Sequence, residues 1–356
     1  MEVVRDHVEF GMSYRKIAKR SYERYGVRVS PSTLQGMVVE IGKRCKTPFE
    51  MSQELCLKRL LGYLLVDDKR ISVGGKKVRW YFGLDKTGDI LHAEMMKEYN
   101  VSNMVSLFKA IRDGLHYKLK GLTTDQEILF SLAHDKVFAG KPHQICIKHA
   151  FDSLDRYLGY TSKVGTLKRL GIKFRERFRM MPDCVNEESH RRRMEEVKHG
   201  IERIKVLKEE LVPIEQLRKD IHRVLQSRTY ALACSRWANF NRHRLHRHHT
   251  HKLIVEFVKK RWHTLTVHYH HRGMPATNNI AENFMRQLEK RLKTIEGFGN
   301  VRTAESYIKL LVACLRTKPL TDCKGKRKFR NGYSRLELAG AVLPSKDWLK
   351  LCLKSP

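Results

Sequence analysis

The chain has 356 residues, which suits two or three domains, and 41% of them are apolar, ample for an ordinary buried core. Lys and Arg total 71 against 38 Asp and Glu, a formal charge of +33 spread through folded-looking sequence, so a polyanion such as nucleic acid is the expected partner. No stretch reaches ~18 apolar residues, the opening MEVVRDHVEF is charged where a signal peptide needs an apolar core, and eight cysteines are scattered without pairing, which argues against a membrane span, secretion or a disulfide scaffold and for a reducing, cytoplasmic setting.

Residues 12–42 read as two helices around a turn. Ser13 can cap a helix carrying Ile17, Ala18 and Tyr22 on one side, and Gly26 ends it. Ser30 and Pro31 suit the cap and first position of a second helix, on which Leu34, Met37, Val38 and Ile41 form an apolar stripe. A plain helical hairpin fits this pattern. In so basic a chain a helix-turn-helix is preferred, with Tyr14, Arg15, Ser32, Thr33 and Gln35 near the helix starts as DNA contacts. Residues 61–95 then turn to strands joined by hairpins: the apolar run LLGYLLV ends in Asp67 and Asp68, and KKVRWYFGLDKTGDIL holds a DKTGD turn between apolar segments. Helical spacing returns over 101–119, GLTTD reads as a brief strand ending at Asp125, and HQICIKHAFDSLDRYL as a strand passing into a helix. The mixture predicts an α/β core around 60–155.

From about 160 to 265 the strand signal fades. Apolar residues from Met194 to Val224 recur every three or four positions, predicting an amphipathic helix interrupted at Pro213. Trp237 and Trp262 in this block read as core residues, and the run NRHRLHRHHTH (241–251) as a cationic face without regular ligand spacing. Helical segments 279–296 and 303–315 lead back to the core. The basic, glycine-containing stretch TDCKGKRKFRNGYSR has the composition of a flexible tail. The resulting division is a helix-turn-helix region (1–50), a first core part (51–160), an α-helical insertion (161–270), a last core part (271–317) and a basic tail (318–356).

Three carboxylates carry the candidate chemistry. Asp67 and Asp125 end apolar strands, and strand ends converge on one edge of an α/β sheet. Glu282 lies in the first turn of a helix that could pack on that sheet. Each has an ordinary alternative: Asp67 or Asp68 in a solvated turn, Asp125 as a helix cap, Glu282 in a capping box with Asn279. Brought together, three ionised carboxylates repel and need a cation; Mg²⁺ or Mn²⁺ prefers such oxygen ligands and suits phosphodiester chemistry. Around the last helix, Ile280, Phe284, Leu288, Leu292 and Ile295 fall on one side at ~100° per residue. Glu282, Arg286, Glu289 and Lys293 fall opposite, flanked by Lys290, as an acid followed by cations able to grip a strand. Cys146 and His149 have half the spacing of a zinc site, and no clear second half follows.

The segment TNNIAENFMRQLEKRLKTIEGF resembles the final acidic motif of DDE transposases of bacterial and archaeal insertion sequences, in the broad Mutator-like group. LLVDDKRISVGGKKVRWYFGLDKTGDIL is similar to their first motif, and GLTTDQEIL followed by HQICIKHAFDSLDRYL to their second with its trailing C-x-x-H. The resemblance covers roughly residues 10–315, by motif order. It implies an RNase H-like fold with Asp67, Asp125 and Glu282 as catalytic, metal-binding triad, an α-helical insertion before the last acid, and accessory places for Asp68, Cys146 and His149. It further implies metal-dependent cleavage and joining of double-stranded DNA, element ends to target, by an oligomer on DNA. The amino-terminal region is short for the group, so a further DNA-binding segment is expected to be missing. A non-catalytic DNA-binding regulator or domesticated transposase, and a nuclease without a joining step, remain as alternatives.

Overall fold

A computed structural model describes residues 1–96, 98–179, 186–242, 249–295 and 297–354. The chain divides into two units: residues 1–146 with 273–356, and residues 147–272. The first unit opens with α1 (Glu2–Val4), which continues as a π-helical turn, followed by α2 (Tyr14–Tyr25), α3 (Pro31–Lys43) and α4 (Pro48–Glu54). Ser13 and Ser30 cap α2 and α3 as their sequence suggests, accepting from the backbone N–H of Lys16 and Thr33.

The sheet follows. β1 (Tyr63–Val73) and β2 (Lys76–Asp85) form a hairpin whose turn is Gly74–Gly75, both at positive φ, as a tight two-residue connection requires. β3 (Ile90–Met96) returns antiparallel, α5 (Val101–Lys109) crosses over, and β4 (Gly121–Thr124), α6 (Ile128–Val137) and β5 (His143–Ile145) complete a five-stranded mixed sheet of order β3-β2-β1-β4-β5. Alternate residues of β1 face opposite sides. Leu64 and Val66 join Leu107, Phe108 and Phe130 of α5 and α6 in one core; Leu65 joins the core of the other face.

The second unit is helical throughout its described residues: α7 (Ile147–Tyr157), α8 (Tyr160–Arg179), α9 (Glu187–Leu225), α10 (Tyr230–Asn241), α11 (His249–Lys259), α12 (Trp262–Leu265) and α13 (Val267–His270). Pro213 does not interrupt α9. Leu211, Ile214, Leu217 and Ile221 on both sides of it are buried, and their packing carries the helix through the missing backbone donor. Arg218 clamps Asp155 with two contacts of 2.5 Å and lies 4.0 Å over the Tyr160 ring, tying α9 to α7 and α8. Trp237 stacks on Trp262 at 5.3 Å, both half-buried, in keeping with a packing role. Of the His-rich run 241–251, residues 243–248 lie outside the described residues.

The chain re-enters the first unit with α14 (Asn279–Leu292) and α15 (Val301–Thr317), then α16 (Arg335–Leu338) and α17 (Trp348–Cys352). Residues 318–354 are not a loose tail. Trp348, Leu349 and Cys352 are buried in the core with α14, α15 and the N-terminal Val4 and Val8, and Trp348 Nε1 donates to Glu9 at 3.0 Å. The apolar residues of this segment outweigh its charge. Residues 1–50 share the same core through Val38. α3 approaches α15 so closely that a Cβ on Gly42 would stand 2.6 Å from the Ser306 carbonyl oxygen. Gly42→Ala should therefore cost about 1–3 kcal/mol by forcing the helices apart, read as a lower urea midpoint; an unchanged midpoint contradicts the close approach. No helix among the described residues is long and apolar enough to cross a membrane.

Candidate active site

β4 runs parallel to β1 with Leu65 opposite Thr123. Asp67 lies two residues beyond Leu65, and Asp125 two beyond Thr123, directly after β4 ends, where its charge bears on Asp67. Asp67 does not end its strand as the sequence suggested. It sits in the middle of β1, which continues as a hairpin with β2 while its other neighbour, β4, stops at Thr124. The free edge beside Asp67 is the end of β4. This also removes the solvated-turn alternative for Asp67 and Asp68.

α14 reaches that edge through its cap. Asn278 is buried, and its side chain does not cap the helix; its amide donates instead to the Val66 carbonyl at 2.9 Å. Its backbone N–H donates to the Cys146 sulfur at 3.2 Å, just beyond β5. With the start of α14 pinned to β1 and to the end of β5, Glu282 lies one turn in, its backbone N–H bonded to the Asn278 carbonyl. No capping box with Asn279 forms, because Asn279 is already the first helical residue.

Asp67 is 7% exposed. Burial, together with the neighbouring charges of Asp125, Asp68 and Glu282, pushes its carboxyl up to about 7, against one backbone N–H from Asp68 at 2.9 Å. Asp125 is likewise pushed up to about 7 by burial and by the charges of Glu127 and Asp68. It accepts the Glu127 backbone N–H at 3.0 Å, an Asx turn and not a cap of α6, whose cap position is Glu127. Carboxylate oxygens of Asp68, Asp125 and Glu127 lie within 4.8 Å of one another. Arg79 of β2 stands beside them, 2.5 Å from Glu127 and 4.0 Å from Asp68, and 4.0 Å is too long for a direct hydrogen bond. Sequence reading missed Glu127, Arg79 and Asn278. The available signals were an acid two residues after Asp125 and an Asn just before the last helix.

An acid whose folded pKa exceeds its unfolded value favours the fold most when protonated. The contribution of Asp67 is present below about pH 4 and lost as the pH rises to about 7. Without divalent cations Asp67→Asn should therefore gain on the wild type as the pH rises from about 5 to about 8, by on the order of 5 °C in melting temperature at the upper end. Parallel wild-type and variant melting curves in EDTA check this; curves without a pH-dependent gap count against a raised Asp67.

The other candidate residues are more dispersed. Arg15, Ser32, Thr33 and Gln35 are exposed on α2 and α3. Tyr14 is half-buried, packing against the core with its ring stacked on His7 at 4.0 Å. On α14, Phe284 and Leu288 are buried, with Ile280, Leu292 and Ile295 packed beside them, while Arg286, Lys290 and Lys293 are exposed on the opposite ridge. Glu289 on that ridge pairs with Lys69 at 3.0 Å and Lys293 at 3.4 Å. Cys146 closes the first unit and His149 belongs to α7 of the second. None of the described cysteines is in a disulfide.

Fold and site together define an α/β protein with a carboxylate-lined sheet edge in a strongly basic chain. The sequence model described as "Transposase IS66 family" matches residues 178–306, a little over a third of the chain, from the end of α8 through α14 into α15. The match supports a transposase of an insertion sequence. It includes Glu282 and excludes Asp67 and Asp125, and IS66 is a different group from the Mutator-like one that the motifs resemble. No curated protein matches the chain.

Proposed function

We propose that the protein is a DDE transposase: Asp67, Asp125 and Glu282 form the catalytic set on an RNase H-like core, cutting the ends of a mobile element and joining them to target DNA. The observation that carries this reading is that the charges of Asp125, just past the end of β4, and of Glu282 on α14 both bear on buried Asp67 of the neighbouring parallel strand. The strand order β3-β2-β1-β4-β5 supports the RNase H-like assignment.

The donor set fits a hard divalent cation. All three groups are carboxylates, two of them are held well above their ordinary range by burial and by neighbouring acids, and bound positive charge would relieve that cost. Asp67, Asp125 and Glu282 would hold Mg²⁺ or Mn²⁺, with Asp68 and Glu127 close by. Bound there, the cation supplies charge neutralisation at the scissile phosphate and a more acidic water. The chain's own residues orient the reaction. The backbone N–H groups of Asp68 and Glu127 each fix one carboxylate oxygen. Arg286 and Lys290 offer exposed charge along α14 for the strand, and Arg15, Ser32, Thr33 and Gln35 on α2 and α3 a second, duplex-facing surface. In the first step water forms a bond to phosphorus and the P–O3′ bond breaks, freeing a 3′-hydroxyl. In the second that hydroxyl attacks a target phosphodiester, one P–O bond forming as another breaks. Two ends imply at least two copies on DNA. The test is incubation of the purified protein with its terminal DNA and Mg²⁺ or Mn²⁺. Cleaved and joined products are expected; a folded protein that binds this DNA yet produces neither contradicts the reading.

A further inference from the structure

Beyond the carboxylates, the segment after α15 builds a second site in the first unit. Lys324 and the 3₁₀ turn Gly325–Arg330 close over one flank of α14 and leave a cleft of about 540 Å³. Residues three apart eclipse in a 3₁₀ turn, so Arg327 and Arg330 share one edge; Lys324 leads into the turn, and all three line the cleft. Arg335 forms another wall, and α14 contributes Asn283 and Gln287. With Lys326, five cations meet there against one acid, Asp322. Among the described residues none of the five makes an ion pair. Arg330 donates to the Thr87 carbonyl, and Arg335 to the Leu315 carbonyl and Gln287, all neutral oxygens. Burial pulls both guanidinium groups below their ordinary range; an incoming anion would offset that cost.

The cleft is held by the fold. Leu320 exchanges backbone hydrogen bonds with Tyr333 and Gly332, at 3.0 and 2.9 Å. The Asn331 side chain clasps both the N–H and the carbonyl of Cys323, at 2.9 and 3.1 Å. Asn283 in the cleft follows Glu282 directly, so cleft and carboxylates border the same helix, ~10–12 Å across, the span of about three nucleotides. Phe329, 72% exposed on the same turn, offers a face for an unstacked base.

We propose that this cleft is a phosphodiester-binding site that takes the backbone of the DNA strand passing the catalytic carboxylates. The proposal rests on the transposase reading and adds to it a place for the strand. Arg side chains match phosphate oxygens in a fork, and a polyanion, unlike a single free phosphate, can engage several of these cations at once.

The test compares the wild type with K324A/K326A/R327A, which alters exposed side chains only, and with R203A/K205A/K208A on α9, which removes equal charge elsewhere. Binding of a mixed-sequence single strand and its duplex is measured against salt. Losing three phosphate contacts should lower the slope of log K against log salt by about 2 to 3, and the α9 control should change it less. Equal slopes for the two variants overturn the cleft while leaving the transposase reading in place, provided the wild type cleaves its DNA. A wild type that binds no DNA overturns both. An unchanged slope with lost stabilisation by inorganic phosphate overturns the DNA assignment. Photocrosslinking of the wild type, which needs no variant, should place DNA adducts within residues 323–335; adducts found only elsewhere overturn the proposal.

Discussion

Replacing Asp125 with Asn is expected to lower DNA cleavage and joining by at least ~10³-fold while leaving DNA affinity within about twofold of wild type. Asn keeps the size of Asp and can still accept the Glu127 backbone N–H, so the Asx turn and the end of β4 should survive. What it loses is the negative charge next to Asp67. The same change should bring the Asp67 carboxyl closer to its ordinary range, because one of the neighbouring charges that push it up is gone. Two readouts therefore accompany the activity loss: an unchanged binding curve, and a weaker pH dependence of the melting temperature in EDTA. A variant that cleaves and joins DNA like the wild type would end the catalytic assignment and leave a DNA-binding protein that kept the fold.

The second large effect concerns the DKTGD turn between β2 and β3. Asp89 and Arg316 are both fully buried and paired, Arg316 Nε and Nη2 lying 2.8 and 2.7 Å from the two carboxylate oxygens. Arg316 also donates to the Pro48 carbonyl at 2.6 Å and to Ser52 Oγ at 2.8 Å, so one guanidinium joins α15, α4 and the hairpin. Arg316→Ala should destabilise the first unit by about 3–5 kcal/mol, since it strands a buried carboxylate. Removing both charges, in R316M/D89L, should cost less than the single change. A single variant as stable as the wild type, or a double variant clearly worse than the single, contradicts this account. Asp85 at the other end of the turn is equally structural. Its carboxylate accepts from the backbone N–H of Leu61, Gly62 and Thr87 and from the Tyr117 hydroxyl at 2.7 Å. The turn acids thus orient the sheet on which Asp67 sits, and neither is available for catalysis.

Local patterns were legible wherever the signal is carried by neighbours in the chain. The caps of α2 and α3, the β1–β2 hairpin, the strand ending before Asp125 and the inward stripe of α14 all follow from spacing over fewer than about ten residues. The match over 178–306 agrees with an insertion-sequence transposase and not with the Mutator-like grouping, and it leaves the first two acids to geometry alone. Expectations failed where a local cue met a non-local contact. Pro213 reads as a helix end, yet α9 continues because both of its sides are buried. The run TDCKGKRKFRNGYSR reads as loose, yet its loop is clasped by Asn331 and followed by the buried α16 and α17.

The sequence by itself determined the alternation of strands and helices, the strongly cationic surface and the identity of three candidate acids, since these depend on residue type and short-range period. Only the tertiary structure decided that Asp67 lies in mid-strand beside the end of β4, that Asn278 pins α14 to Val66, and that Glu127 and Arg79 join the acidic cluster. Those facts depend on strand register and helix docking, which bring together side chains far apart in the chain, and no local periodicity encodes which distant partner a buried polar group will meet.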